Sequence, residues 1–350
     1  MVYSASMTPQ ASDVDQIYLS KHLTFITLGF AAATAASLVS VRFWTRLAPY
    51  LFAMTILLLI VVMIPGVGKR VNGAQRWLPL GPLSLQPSET AKLTLPLFVC
   101  WRACQTRANS TFTNSILTFG LVGLTMVLIL IEPDLGTALF VGLCGVLALF
   151  LARWPMRDFL ILGGLIVPAA LALLAFKPYQ LARIQGFFDA WRDLDAAPYQ
   201  VKQSLTTLGV GGLWGTGLGK GWQKLSFLPE ANTDFVFAVI GEELGLIGTL
   251  SVVGLWVCLF VVARRLISRC QPHSFEAVLA STLLLQMVIQ AAVNVGVVTA
   301  LLPPKGISHP FISYGGSNLV VNLTALGMIL SLTRVPKSNP VPDELIESTE

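Results

Sequence analysis

The sequence predicts an all-α fold, a polytopic transmembrane helical bundle, and three observations carry that prediction. Charged residues make up 12% of the chain, against about 25% in an average soluble domain. Apolar types reach 54% and the mean hydropathy is +0.72. The apolar residues are gathered, again and again, into stretches close to the ~20 residues that cross a hydrocarbon core of ~30 Å.

Those stretches run near 22 to 41, 47 to 66, 88 to 104, 113 to 131, 136 to 152, 158 to 176, 235 to 263, 275 to 301 and 318 to 333, which makes nine predicted spans. Alternate linkers carry the arginines: Arg42 and Arg46, Arg102 and Arg107, Arg153 and Arg157, Arg264, Arg265 and Arg269, then Arg334 with Lys337. By the positive-inside rule these linkers and the C-terminus are cytoplasmic and the other loops lie outside. Lys69, Arg70 and Arg76 are cations on the outer side, against the rule, and so invite a functional explanation.

Residues 1–335 read as a single integral membrane domain. Within it, 177–234 is a large extracytoplasmic loop that mixes the amphipathic RIQGFFDAWRDL with the glycine-rich GVGGLWGTGLGKGW, a composition suited to the membrane interface. Residues 336–350 form a polar tail too poor in apolar side chains to fold alone. MVYSASM at the start has neither the basic residues nor the apolar core of a signal peptide.

The formal charge of +5 is spread singly and in pairs between apolar spans, which argues against nucleic acid as a partner. Five cysteines lie in or beside apolar segments without a CxxC pair and read as small buried side chains. His22, His273 and His309 have no partner at ligand spacing, which argues against a dedicated metal cage. GTGLGKG resembles a phosphate loop only superficially, since the loop needs glycine where Trp214 stands and Ser or Thr where Gly221 stands.

The distinctive polar residues collect in the outer loops and helix ends. In QPSETAKL, Glu89 and Lys92 share one helix face, as a structural salt bridge or as part of a wet site. In EPDLGT, Glu132 and Asp134 flank a proline at an outer boundary, where Asp134 is placed either to cap the next helix or to act chemically. In LPEANTDF, Glu230 and Asp234 stand where the long loop becomes a helix that then carries Glu242 and Glu243. Asp234 is either a helix cap or a partly desolvated carboxylate with the raised pKa of a general base. PPKGISHPFISYGGSN supplies Lys305 and a re-entrant-looking stretch in which Gly315 and Gly316 allow close backbone approach.

Taken in order, FWTRLAP, VNGAQRW, QPSETAKL, EPDLGTA, YQVKQSL, GLGKGWQKLSFLPEANTDFVFAVIGEELG and LLPPKGISHPFISYGGS resemble the SEDS family of cell-wall proteins, the group of FtsW, RodA and SpoVE. The resemblance runs over nearly the whole chain, and PPKG is closer to the FtsW and SpoVE branch. It implies a peptidoglycan glycosyltransferase that polymerises lipid II outside the bacterial cytoplasmic membrane, beside a class B penicillin-binding protein and other division proteins, in contact with membrane lipid. It places the catalytic aspartate at Asp234, where Asn232 replaces the family's histidine.

Substrate contacts are then expected from Arg76, Lys92, Glu89, Arg183, Gln203, Lys305 and Ser313, and motif roles for Trp77, Glu132, Asp134, Glu230, Glu242, Gly315 and Gly316. Cations would meet the pyrophosphate, arginine best through bidentate contacts. A divalent ion, Mg²⁺ or Mn²⁺, shared between Asp234 and the pyrophosphate fits an ion that takes few protein ligands; no organic cofactor is expected. MVYSASM matches the end of the family's first helix, so most of that helix is expected to be missing here. A lipid II flippase is the main rival, needing a polar path through the bilayer. A non-catalytic scaffold is a third reading, which leaves the outer acid and cations unexplained.

Overall fold

The computed structural model describes residues 13–71, 73–81, 83–106, 111–164, 186–188, 191–193, 197–222 and 228–334. Its helices are α1 (Asp13–Leu38), α2 (Val41–Met63), α3 (Pro87–Thr106), α4 (Phe112–Ile131), α5 (Leu135–Leu151), α6 (Tyr199–Gly211), α7 (Val236–Ile267), α8 (Phe275–Val298) and α9 (Gly316–Leu332). Three strands, β1 (Lys69–Val71), β2 (Ala74–Leu80) and β3 (Leu83–Leu85), fill the connection between α2 and α3.

The helical bundle matches the sequence expectation. Among the described residues, α2, α4, α7 and α8 are long and apolar enough to cross a membrane, and α5 and α9 are shorter apolar helices. Residues 156–164 are helical, but most of the expected span 158–176 lies outside the described residues, as do Arg183 and the tail 336–350. All five cysteines are free.

The local signals are legible. Asp134 caps α5 by accepting from the Thr137 N–H at 3.1 Å, and Ser274 caps α8 by accepting from Ala277 at 3.2 Å. Pro87 opens α3 where a missing N–H costs nothing. The small antiparallel sheet β1-β2-β3 departs from an all-helical expectation. Its turn signals are glycines, and Gly73 and Gly81 take left-handed φ of 79° and 64°.

Helix α3 is the centre of the bundle. It packs against α2, α4, α5, α8 and α9, and its Leu95, Leu97 and Val99 form one core with Leu279, Leu283 and Met287 of α8 and Met328 and Ile329 of α9. It also carries the buried polar residues Ser88, Glu89 and Lys92 at its N-terminal end. A charge pair is tolerated there because protein rather than lipid surrounds it.

The expected uninterrupted span 235–263 is broken at Gly245, with φ 67° and ψ −163°. The glycine-rich run supplies the bonds lost at the break. Thr216 and Gly217 donate to the carbonyls of Glu242 and Glu243 at 2.9 and 3.0 Å, and Leu246 donates to the Gly212 carbonyl at 2.9 Å. A Cβ on Gly245 would stand 2.4 Å from the Gly215 nitrogen, so the run is glycine-rich to let two backbones touch.

Candidate active site

Four pieces of chain meet at one end of the bundle, and each is held by hydrogen bonds or close packing. The first is the start of α3. Lys92 Nζ donates to both oxygens of Glu89, at 2.7 and 2.8 Å, with side-chain exposures of 4% and 7%. The spacing of three residues puts both on one face, and Glu89 in the first turn also complements the helix dipole.

The second piece is the turn between α4 and α5. Arg76, reaching in from β2, donates from Nε to the Glu132 carbonyl at 2.8 Å and from Nη2 to the Pro133 carbonyl at 2.5 Å. Its Nη1 lies 3.6 Å from Asp134 Oδ2. Arg76 is therefore a latch on this turn, and Asp134 is both cap and ion partner. The Glu132 carboxyl is buried with neither oxygen hydrogen-bonded among the described residues. Burial first, then the Asp134 charge, push its pKa up to about 8 against the opposing effect of Arg76.

The third piece is the LPEANTDF turn. Glu230 takes a left-handed φ of 54°, and its carbonyl accepts from Thr233, Asp234 and Phe235 at 3.1, 3.2 and 3.3 Å. Phe235 is the cap position of α7, without a side-chain bond, so Asp234 is not spent on capping. The half-buried Asp234 has its pKa raised to about 7. Burial is the main cause, Glu230 and Asp134 add to it, Lys92 opposes it and Glu89 adds a smaller push. These charges act on one carboxylate from three separate chain segments, which gathers Asp234, Glu230, Asp134, Lys92 and Glu89 into one site.

The fourth piece is the stretch between α8 and α9. It runs irregularly back into the protein, with His309 and Ser313 fully buried. Non-helical backbone at such a place is tolerated where protein surrounds it. Ser313 Oγ donates to the Thr233 carbonyl at 2.5 Å and accepts from the His309 N–H at 2.7 Å, and the Tyr314 N–H donates to the Asn232 carbonyl at 2.8 Å. A Cβ on Gly306 would stand 2.7 Å from Asp234 Oδ2, so the carboxylate rests on this stretch. Half-buried Lys305 is its neighbour in the chain.

The sequence matches the family described as Cell cycle protein, FtsW/RodA/SpoVE, over residues 1–338. The chain belongs to that family. A Coxiella burnetii protein named probable peptidoglycan glycosyltransferase FtsW is 40% identical, the match covering 90% of this chain and 86% of that protein. An Aromatoleum aromaticum protein of the same name is 39% identical, over 94% of this chain and 83% of that protein. A solved structure described as structural coordination of polymerization and crosslinking by a peptidoglycan synthase complex superposes with a TM-score of 0.75 at 30% identity, covering 93% of this chain and 91% of that one. The rod shape determining protein RodA of Thermus thermophilus superposes with a TM-score of 0.69 at 30% identity, over 96% of this chain and 91% of that one.

The remaining motif residues of this FtsW/RodA/SpoVE family member fall outside the carboxylate cluster or serve its frame. Trp77 sits half-buried on β2, paired across the sheet with Lys69. Gln203 is half-buried on α6, next to Ser204, whose hydroxyl donates to the Val298 carbonyl at 2.7 Å. Glu242 is buried in α7 at the glycine run and accepts from the Trp222 N–H at 2.8 Å. Gly315 precedes α9 in extended backbone. A Cβ on Gly316 would stand 2.3 Å from the Phe25 ring, so Gly316 is required by helix packing.

Sequence reasoning that looks for ionisable groups passes over Gln290, Asn294 and Gly306. Gln286, Gln290 and Asn294 recur every fourth residue inside an otherwise apolar span, and that period is the signal that points to them. Among the described residues there is no group of three or more His, Cys, Asp or Glu side chains able to hold a metal ion.

Proposed function

We propose that this protein is a peptidoglycan glycosyltransferase that polymerises lipid II into glycan strands at the outer face of the bacterial cytoplasmic membrane, in cell division and cell-wall synthesis, with Asp234 as general base. The observation that carries the reading is the Asp234 carboxylate, half-buried, shifted to about 7 and set among Lys92, Asp134 and Glu230. A base works best when its pKa is near the working pH and its site is partly shielded from water. The family and the names of the relatives supply the reaction class.

In the reaction a sugar hydroxyl attacks the anomeric carbon of the donor. The new C–O bond forms as the bond to the polyprenyl pyrophosphate breaks, the hydroxyl proton passes to Asp234, and the pyrophosphate leaves with the bonding pair. Lys92 acts electrostatically on the base and Lys305 adjoins Gly306 in the chain, and cations stabilise that growing charge. Arg76 contributes by holding the Glu132–Asp134 turn. Among the described residues no three His, Cys, Asp or Glu side chains stand together as a metal cage, so a divalent ion, Mg²⁺ or Mn²⁺, would take most of its ligands from the pyrophosphate and water.

The arginines between spans support a cytoplasmic C-terminus and an outer site. The solved peptidoglycan synthase complex supports a class B penicillin-binding protein as partner. A lipid II flippase is the second reading, favoured by the buried amides Gln286, Gln290, Asn294, Asn318 and Asn322, which put polar groups within the bundle. Reconstituting the protein with its penicillin-binding partner in vesicles, supplying lipid II and measuring both glycan length and lipid II exchange between leaflets separates the two. Glycan formation is the expected result; exchange of lipid II between leaflets without glycan formation would favour transport.

A further inference from the structure

Two amides on α8 donate to the backbone around the proposed base. Asn294 Nδ2 donates to the carbonyl of Asp234 at 2.7 Å and to the carbonyl of Ile307 at 2.8 Å. One turn below, Gln290 Nε2 donates to the Ser308 carbonyl at 2.8 Å and to Asn318 Oδ1 at 3.2 Å. Carbonyl oxygens only accept, so the amide ends that touch them are the NH₂ ends. Both residues are fully buried, and their own oxygens have no hydrogen-bond partner among the described residues. Polar side chains placed so deep in an apolar span are costly unless they are used.

We propose that Asn294 is a positioning residue for the Asp234 base, with Gln290 as its support: the Asn294 amide clips the LPEANTDF turn to the stretch carrying Gly306 and so sets where the carboxylate stands. This rests on Asp234 being the base. Asn294 bonds both the Asp234 and Ile307 backbones, and it does so from the wall of the bundle rather than from a loop. Asn294 does not touch the reacting atoms. Removing its donors leaves the substrate cations in place but frees the base to swing off Gly306 toward water. The charges that face Asp234 stay where they are: Glu230 on its own turn, Asp134 on the α4–α5 turn, Glu89 and Lys92 on α3, and Lys305 beside Gly306. Any shift in the pH profile then reports hydration of the base.

The test is lipid II polymerisation by the full chain with its penicillin-binding partner, comparing wild type, Asp234→Asn, Asn294→Leu and Asn294→Ser. Displacement of a catalytic group by about 1 Å costs on the order of 100-fold, so Asn294→Leu is expected to lower kcat about 10- to 100-fold with KM within about threefold. Its acid limb should move to lower pH, while the thermal midpoint and partner binding stay near wild type. Asn294→Ser, which keeps one donor, should fall between, and it decides the matter if the leucine variant does not fold. With Asp234→Asn inactive, a kcat within twofold of wild type and an unmoved pH profile in the Asn294 variants would overturn the positioning role. So would losses in kcat that only follow a fall in thermal midpoint. Full activity in Asp234→Asn would instead overturn the base assignment and this inference with it.

Discussion

Gly306 faces the Asp234 carboxylate so closely that a Cβ on residue 306 would lie 2.7 Å from Oδ2. The atom in the way is the end of a side chain, which can turn aside without moving backbone. Gly306→Ala is therefore expected to fold and to keep its thermal midpoint, while the displaced base slows polymerisation by about 10-fold or more. Glycan yield and unfolding temperature measured on the same preparation check this. Unchanged activity would mean that the position of the carboxylate does not matter.

Arg76 binds the α4–α5 turn through two backbone carbonyls and the Asp134 carboxylate. Lysine keeps the charge but not the planar fork. Arg76→Lys should lower stability by about 2 kcal/mol, the scale of lost charged hydrogen bonds at a partly exposed site, and reduce polymerisation. A lysine variant equal to wild type in both would show that charge alone suffices.

Glu89 and Lys92 form a buried pair. Breaking such a pair from one side costs roughly 3–5 kcal/mol, whereas replacing both partners can be nearly neutral. Lys92→Met should therefore impair folding, and the double variant Glu89→Gln, Lys92→Met should recover the folded yield but not polymerisation. Recovery of both would make the pair purely structural.

The Glu132 carboxyl is held at a pKa of about 8 against an ordinary 4.5. Between those values the folded protein keeps a proton that the unfolded chain releases, so this group lowers stability as pH rises through the window, by up to about 1.4 kcal/mol for each unit. Glu132→Gln removes that penalty. Its thermal midpoint should exceed wild type at pH 8, and the gap should narrow toward pH 5. A gap that does not depend on pH would contradict the burial of an ionisable acid there.

Much of this architecture is legible in the residues. Apolar length predicts the spans, and the ends of α3, α4 and α9 fall within two residues of the sequence expectation because proline, aspartate and glycine mark them. Glu89, Asp134, Glu230 and Asp234 stand out as acids beside apolar runs, and the fold brings them to one place. What sequence does not show is which partner each charge takes. Arg76 reads as an outward cation and is found committed to a turn 56 residues away in the chain. The glycine run reads only as part of a long interfacial loop; its reason is a break at Gly245 that only the path of α7 reveals. Asn294 is hidden because an uncharged amide in an apolar helix has no local signature beyond its fourfold spacing with Gln290 and Gln286.

The most direct test of the central claim is the rate of lipid II polymerisation by wild type and Asp234→Asn with the penicillin-binding partner, as a function of pH. The wild-type rate should rise through about pH 7 as the Asp234 carboxyl loses its proton. Asparagine cannot take the proton, so its rate should be lower by about 100- to 10,000-fold and flat across that limb, with lipid II still bound. An Asp234→Asn variant that polymerises at the wild-type rate with the same pH profile would contradict the account.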